Sequence, residues 1–181
     1  MMMSQEIKSN NTIESINDDL SVIDEVIKKK TSISSKERKR IINLYHGYQC
    51  ILTHKTIDKK HLKELYDILS DDILDVYDKV NMGLYYRNEQ AYILKVNHFG
   101  EDAYMGMATE KLNYYMDIFF EYVNKDNCNN EIENFIKSQI MHFYFVYLHP
   151  YFDVNGRTSR TVSMWYLLNK ECYPYIILIS P

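Results

Sequence analysis

Turn-forming residues are scarce in this chain, which has 5 glycines and 3 prolines among 181 residues. A β-sandwich or a propeller needs many tight turns, so the composition favours a mainly helical fold. No apolar run approaches the roughly 18 residues of a membrane span, and the first residues lack the apolar core of a signal peptide. The sequence therefore predicts a cytoplasmic, non-membrane protein, and its length suits one domain better than two.

Cysteine and positive charge are also limited. Cys50, Cys128 and Cys172 are far apart, odd in number and without CxxC spacing, so their spacing suggests neither a disulfide framework nor a zinc site. The chain has 25 Asp and Glu residues against 21 Lys and Arg residues, a net charge of −4 at pH 7. Nucleic acid is therefore not the expected partner, because binding to phosphates normally needs a basic face.

Apolar residues recur at three- and four-residue steps through most of the chain, as in amphipathic helices. We expect a polar tail over residues 1–12. The helix that covers residues 131–148 is apolar over more than half of its circumference, so we expect it to form the buried centre. Two β-prone runs around a polar loop, longer than a two-residue turn, predict a hairpin at residues 91–107. The other predicted helices cover residues 13–30, 35–52, 59–69, 109–123 and 156–169.

The densest polar segment, HPYFDVNGRTSR, begins at His149 and ends at Arg160. Arg157 and Arg160 are three residues apart, a spacing that suits two guanidinium groups holding phosphate oxygens. Asn155 is a good N-cap, and the amides that follow a cap bind anions at the positive end of the helix dipole. Asp153 is a hard oxygen ligand for Mg²⁺, and His149 is a base that titrates near neutrality. Each residue alone fits a cap or a surface ion pair, whereas the combination indicates a phosphoryl site.

This segment resembles the signature of the Fic-domain family, HPFx(D/E)GNGRxxR. Tyr151 replaces the Phe of the signature and keeps an aromatic anchor, whereas Val154 replaces a Gly or Ala. A β-branched residue disfavours positive φ, so Val154 is harmless only if its backbone is extended or helical. The resemblance covers about residues 12–181. It implies a single all-α Fic domain, in which a helical bundle surrounds a central helix–loop–helix motif and carries the 91–107 hairpin as a flap.

The resemblance implies a protein adenylyltransferase, which transfers AMP from ATP to a Ser, Thr or Tyr hydroxyl of a target protein and releases pyrophosphate. His149 would accept the proton of that hydroxyl, and Asp153 would hold Mg²⁺ at the α- and β-phosphates. Doc-like phosphotransferases of the family have Lys where this chain has Gly156, so Gly156 favours transfer of AMP over transfer of phosphate. The residues expected to hold the phosphates of ATP are Asn155, Gly156, Arg157 and, at the γ-phosphate, Arg160.

Many relatives also carry an inhibitory helix with the pattern (S/T)xxxE(G/N), whose Glu pairs with the second Arg of the signature. Residues 10–16, NNTIESI, resemble this pattern, although Asn10 stands where the pattern has Ser or Thr and Ser15 where it has Gly or Asn. We expect the inhibitory helix within residues 13–30, with Glu14 pairing with Arg160 and competing with ATP. The alternative is that Glu14 is an ordinary acidic residue in the first turn of a helix.

The flap would bind an extended segment of the target through main-chain hydrogen bonds along its open strand. Lys95, Asn97 and His98 are the candidate contacts, and a hairpin that only covers the core is the alternative. Self-modification and assembly of two copies are also compatible with the family. Two other enzymatic functions stay open: removal of AMP from a modified protein, with Glu14 orienting a water, and Doc-like phosphotransfer. A third alternative is a toxin-type binding protein with weak catalysis.

Overall fold

The computed structural model describes residues 2–14, 16, 19–29, 36–97 and 100–172. Within these ranges the chain forms a helical bundle with one two-stranded antiparallel sheet, which confirms the predicted all-α architecture. None of the helices in the described ranges combines the length and the apolar character needed to cross a membrane. The helices are α1 (Met2–Ile13), α2 (Leu20–Lys29), α3 (Lys36–Thr53), α4 (Lys59–Ser70), α5 (Val76–Val80), α6 (Thr109–Asn124), α7 (Glu131–Leu148) and α8 (Asn155–Asn169), and the strands are β1 (Tyr92–Asn97) and β2 (Gly100–Met105).

The N-terminal segment differs from the prediction. The expected polar tail over residues 1–12 is wrong, because α1 occupies most of that segment, and the single helix expected over residues 13–30 is wrong, because α1 ends at Ile13 and α2 begins at Leu20. The buried face of α1 is largely polar: Asn10 is 1% exposed, and its amide donates a hydrogen bond to the Tyr48 hydroxyl at 3.2 Å. A search for apolar periodicity misses a helix that buries amide side chains in this way.

The connection between the two strands of the hairpin is shorter than the sequence suggests. The ladder pairs Tyr92 with Met105 at one end and Asn97 with Gly100 at the other. The polar residues that we expected to form a long loop therefore belong partly to the strands. The short helix α5 was not predicted, because its five residues are too few to show a helical period, and none of them is buried.

The prediction that α7 forms the buried centre is wrong for one face of that helix. Met141, Phe145 and Leu148 are fully buried, but the opposite face carries large apolar side chains that are 48–69% exposed. Among the described residues α7 packs mainly against α8 and α6, so only part of its circumference is covered. The exposed residues are Ile132, Ile136, Ile140, Phe143 and Tyr147.

The most completely buried helix is α8, whose sequence is polar. Its hydroxyl side chains donate hydrogen bonds to carbonyl oxygens of the preceding turn: Thr158 to Val154 at 2.8 Å and Thr161 to Arg157 at 2.9 Å. Ser163 donates to the Ser138 carbonyl of α7 at 3.0 Å. Because these buried hydroxyls have acceptors, α8 can lie in the interior despite its many polar side chains. Burial of this helix brings the polar segment 149–160 into the centre of the bundle.

Tyr151 anchors the α7–α8 connection in the core, as predicted for the aromatic position of the motif. Its ring is fully buried and stacks on Tyr66 of α4, with 3.6 Å between the ring centroids and 11° between the ring planes. The Tyr151 hydroxyl is buried and has no hydrogen-bond partner, and burial raises the pKa of Tyr151 well above its usual value. The ring therefore stabilises the fold while its hydroxyl opposes burial.

Arg87 connects the hairpin to the end of α7. The Arg87 side chain donates hydrogen bonds from Nε to the carbonyl oxygen of His149 at 2.8 Å, from Nη1 to that of Glu89 at 2.6 Å, and from Nη2 to that of Met107. Its backbone N–H donates to the carbonyl of Pro150 at 3.0 Å. One buried guanidinium therefore joins both ends of the hairpin to the first residue of the polar segment.

We predict that Tyr151→Phe raises the free energy of unfolding by about 1 kcal/mol, because the change removes a buried hydroxyl without a partner and keeps the stacked ring. Tyr166→Phe is the matched control, because the Tyr166 hydroxyl donates to Asn134 Oδ1 at 2.6 Å. The control should lower the free energy of unfolding by about 1 kcal/mol. Urea denaturation measures both changes, and equal destabilisation by the two variants would contradict the prediction.

We predict that Arg87→Met lowers the free energy of unfolding by about 2–4 kcal/mol, because buried carbonyl groups lose their donors while the length of the side chain is kept. Lys170→Met is the control. Lys170 forms an ion pair with Asp126, which is 81% exposed, so its loss should change stability by less than about 1 kcal/mol. Denaturant titration of the two variants tests the difference, and similar small effects would show that the Arg87 bonds contribute little.

Candidate active site

The candidate site lies on the connection between α7 and α8. His149 is the C-cap of α7 and Val154 is the N-cap of α8, and both have left-handed backbones, with φ of 51° and 67°. Such conformations are uncommon outside glycine and turn the chain sharply. The two turns make the connection compact, so His149, Asp153 and Arg157 come to the same end of the bundle.

Val154 has the conformation that the sequence analysis identified as unfavourable for this residue. A β-branched side chain at positive φ costs about 1–2 kcal/mol relative to a glycine. The surroundings compensate, because the Val154 side chain is 3% exposed and its carbonyl oxygen accepts hydrogen bonds from the N–H and the hydroxyl of Thr158. Packing of the side chain therefore holds the strained backbone in place.

Asn155 does not act as the N-cap that the sequence suggested. It is the first residue of α8, and its side chain spans the connection: the Tyr151 N–H donates to Oδ1 at 3.0 Å, and Nδ2 donates to the Tyr151 carbonyl at 2.7 Å. The N-cap residue, Val154, has an apolar side chain that makes no capping hydrogen bond. The first amides of the helix therefore stay available to an anion, at the positive end of the helix dipole.

Arg157 is a buried cation whose surroundings favour an anion. The residue is 3% exposed, and its Nε and Nη1 atoms are buried without a hydrogen-bond partner among the described residues. Burial lowers the pKa of Arg157, an effect that the negative charges of Glu14 and Asp153 partly offset and that the positive charge of Arg40 increases. Buried donors on a cation are costly when unpaired, so a phosphate group would complete the site.

Arg40 is a site residue that the sequence analysis missed. It lies on α3, its Nε atom is buried without a hydrogen-bond partner, and its charge acts on Arg157. The basic run KERKR at the start of α3 could have drawn attention to it, but nothing in the sequence relates that run to the motif. The site therefore receives positive charge from two helices that are distant in sequence.

Arg160 is paired inside the protein. Its Nη2 donates to Glu14 Oε1 at 2.5 Å and its Nε donates to Asn10 Oδ1 at 2.8 Å. The side chains of Arg160 and Glu14 are 7% and 33% exposed, so the ion pair is partly shielded from solvent. A Cβ atom built on Gly156 would lie 2.9 Å from Glu14 Oε1, which places the carboxylate directly over the first turn of α8. The structure thus contains the contact expected between Glu14 and Arg160.

His149 has the protonation properties of a general base. Burial lowers its pKa below the usual value; the Val146 carbonyl and the Asp153 carboxylate oppose this shift, and the positive charge of Arg87 adds to it. The imidazole is therefore neutral near pH 7. Nδ1 is buried and makes no hydrogen bond of normal geometry, which leaves Nε2 as the atom that can accept a proton from a substrate.

Asp153 lies at the edge of the site and is exposed to solvent. One of its oxygens accepts a hydrogen bond from the Val154 N–H at 2.6 Å. Burial raises the pKa of the nearby Asp78, and the charges of Asp75 and Asp153 raise it further. An exposed carboxylate beside unpaired arginine donors suits Mg²⁺ bound to a nucleotide, because this ion usually takes one or two carboxylates together with phosphates and waters.

The candidate residues for target docking belong to the hairpin segment. Lys95 and Asn97 lie in β1, where they pair with Asp102 and Gly100, and His98 lies outside the described residues. Their proposed contact with a target stays a prediction. His142 is half-buried on α7, with Nδ1 3.2 Å from the Ser159 hydroxyl, which agrees with a packed structural histidine.

Comparisons with known proteins agree with this geometry. Residues 56–167 match the family model described as the Fic/DOC family. No curated protein matches the chain in sequence. The fold is similar to that of a Fic family protein from Desulfovibrio desulfuricans, with a TM-score of 0.77, 18% identity, and coverage of 98% of this chain and 52% of that chain.

Two further solved structures have the same fold. A Fic domain-containing signaling protein from Bacteroides thetaiotaomicron has a TM-score of 0.70 at 13% identity, with coverage of 96% of this chain and 70% of that one. Fic-1 from C. elegans has a TM-score of 0.69 at 15% identity, with coverage of 92% of this chain and 48% of that chain. The chain spans about half the length of the D. desulfuricans and C. elegans proteins. Because the family model covers more than half of the chain, this protein belongs to the Fic/DOC family.

Proposed function

We propose that this protein is an adenylyltransferase that transfers AMP from ATP to a hydroxyl group of a protein and releases pyrophosphate. The observation that carries the proposal is the buried Arg157 guanidinium, which has unpaired donors beside the uncapped start of α8. A buried cation of this kind is stabilised by an anion with several oxygens, and the phosphates of a nucleotide provide them.

The residues around Arg157 supply the other parts of the reaction. The target hydroxyl forms a bond to the α-phosphorus, the bond to the pyrophosphate oxygen breaks, and the hydroxyl proton moves to His149. Arg157 and the first amides of α8 hold phosphate oxygens while negative charge moves toward the leaving group. Asp153 would hold Mg²⁺, which neutralises charge on the phosphates. Asn155 positions the loop through its two bonds to Tyr151.

Gly156 distinguishes AMP transfer from phosphate transfer within the family. The position carries Lys in the Doc-like phosphotransferases that the motif also resembles. A side chain here would meet Glu14 Oε1 at 2.9 Å and Arg160 Nη1 at 3.3 Å from its Cβ alone. A lysine would therefore have to displace the Glu14 carboxylate. The glycine at this position supports AMP transfer through the family resemblance.

The Glu14–Arg160 pair supports autoinhibition. Glu14 accepts a hydrogen bond from the Arg160 guanidinium, the group that the family resemblance assigns to the γ-phosphate. Asn10 accepts a second bond, from Nε of the same side chain. A carboxylate and a γ-phosphate cannot both take these donors, because both are negatively charged and need the same atoms. ATP would bind productively only when the end of α1 moves away from Arg160.

The hairpin is the proposed docking edge for the target. Within the described part of the chain β1 and β2 pair only with each other, so each strand has an edge free of other strands. Arg87 joins the base of the hairpin to the His149 carbonyl, which supports a docking edge near the proposed base. An extended target segment that adds to the hairpin would carry its hydroxyl toward His149.

We predict that the protein transfers label from ATP labelled at the α-phosphate to itself or to a protein in an extract, and that His149→Ala lowers the rate about 10²–10⁴-fold. Asp153→Asn should also lower it, because the Mg²⁺ ligand is lost. His46→Ala, at an exposed position on α3, is the matched control and should keep the rate. Transfer of label only from ATP labelled at the γ-phosphate would overturn the proposal in favour of phosphotransfer.

We predict that Glu14→Gly raises the affinity for ATP and the rate of AMP transfer about 5–150-fold, because it frees Arg160. Glu171→Gly removes another acidic residue outside the helices, at a φ of 58° that glycine tolerates, and should change neither quantity. Calorimetric titration with ATP and the labelling assay measure the two effects. If Glu14→Gly instead abolished release of AMP from a modified protein, Glu14 would orient a water and the enzyme would be a de-AMPylase.

A further inference from the structure

A second group of reactive side chains lies between the end of α3 and α4. Cys50, His54 and Glu64 each offer one metal-ligand atom, and these three atoms all lie within 4.8 Å of one another. The backbone carbonyl of His54 accepts a hydrogen bond from Trp165 at 2.6 Å. Trp165 is ten residues along α8 from Asn155, about 15 Å at the rise of a helix, so the group is separate from the candidate active site.

The distance between His54 and Glu64 fits a shared metal better than a direct contact. His54 Nε2 and Glu64 Oε2 are 3.5 Å apart. A good N–H···O hydrogen bond measures about 2.7–3.2 Å, so this pair is longer than a well-formed one. Two ligands of a tetrahedral zinc ion, each about 2.1 Å from the metal, lie about 3.4 Å apart. The observed distance of 3.5 Å between His54 Nε2 and Glu64 Oε2 is close to this distance between two zinc ligands.

The chemistry of the three donors is also that of zinc. Zn²⁺ is bound in proteins by thiolate, imidazole and carboxylate groups, whereas Mg²⁺ and Ca²⁺ prefer oxygen ligands alone. Cys50 lies in the last turn of α3, His54 follows the last residue of that helix, and Glu64 comes from the neighbouring α4. We propose that Cys50, His54 and Glu64 bind one Zn²⁺ ion in a tetrahedral site whose fourth ligand is water.

The neighbours of His54 support its orientation as a ligand. The bond from Trp165 fixes the His54 backbone, and the ring of His61 lies 4.3 Å from the His54 ring, between centroids. His61 is itself held by Asp58, whose Oδ2 is 2.9 Å from His61 Nδ1 and whose Oδ1 accepts the His61 N–H. The backbone bond and the neighbouring ring therefore restrict the positions that the His54 side chain can take.

A metal ion can reach the site from solvent. Cys50 and Glu64 line an open groove of about 990 Å³ between α3 and α4. Among the described residues, no other three His, Cys, Asp or Glu side chains bring their ligand atoms this close together. The cysteine spacing gave no signal for zinc, because the ligands come from two helices and include one thiol only. A bound ion would join α3 to α4 and stabilise the fold independently of catalysis.

Titration of the metal-free protein with Co²⁺ tests the site, since Co²⁺ takes the geometry of zinc and its spectrum reports the ligands. We expect one equivalent to produce a thiolate-to-cobalt charge-transfer band and intense tetrahedral bands, both removed by Zn²⁺. Cys50→Ser should abolish the charge-transfer band, and His54→Gln or Glu64→Gln should weaken binding at least about tenfold. Cys128→Ser and Asp153→Asn are the matched controls, which remove another half-buried thiol and the proposed Mg²⁺ ligand.

Thermal unfolding gives a second readout that does not depend on the spectrum. Zn²⁺ should raise the Tm of the wild type and of both controls, and should leave that of Cys50→Ser unchanged. Circular dichroism without metal shows whether each variant is folded. The proposal is overturned if no charge-transfer band forms, if the band survives Cys50→Ser, or if it disappears in Cys128→Ser or Asp153→Asn. AMP transfer plays no part in these measurements, so their failure would leave the proposed function intact.

Discussion

The buried positive charge at the start of α8 is the constraint on which the site depends. Arg157 and Arg160 lie in the interior because α8 is the most buried helix, and guanidinium groups in that position need anionic partners. Glu14 and Asn10 partner Arg160, which ties α1 to the motif. Arg157 keeps unpaired donors. The same requirement for negative charge explains why Arg160 binds Glu14 and why we propose that Arg157 binds a nucleotide phosphate.

The second constraint is the shape of the backbone between α7 and α8. His149 and Val154 have left-handed backbones, and hydrogen bonds within the protein fix the chain around them: Arg87 binds the His149 carbonyl, and the Asn155 side chain bridges to the Tyr151 backbone. Such bonds fix the loop before substrate binds, so little reorganisation is needed when charge develops. The strain at Val154 shows that packing around the loop, rather than local preference, decides its conformation.

The sequence predicted the helices with apolar stripes well, and α4, α6 and α7 lie within one residue of the expected bounds. It failed for α1, whose buried face carries Asn10, and it assigned the centre of the fold to α7 instead of α8. The failures to recognise α1 and the burial of α8 have one cause. Apolar periodicity reports burial only where the buried groups are apolar, and here amides and hydroxyls are buried with hydrogen bonds that the sequence does not reveal.

The motif from His149 to Arg160 and the family it indicates were determined by the sequence alone, because these residues are consecutive and their spacing carries the signal. Only the tertiary structure decided which distant residues join them. Arg40, Arg87 and the cluster that contains Cys50 come from segments with no sequence relation to their partners. Their positions follow from how the helices pack, since packing depends on the summed contacts of the whole core and not on any local pattern.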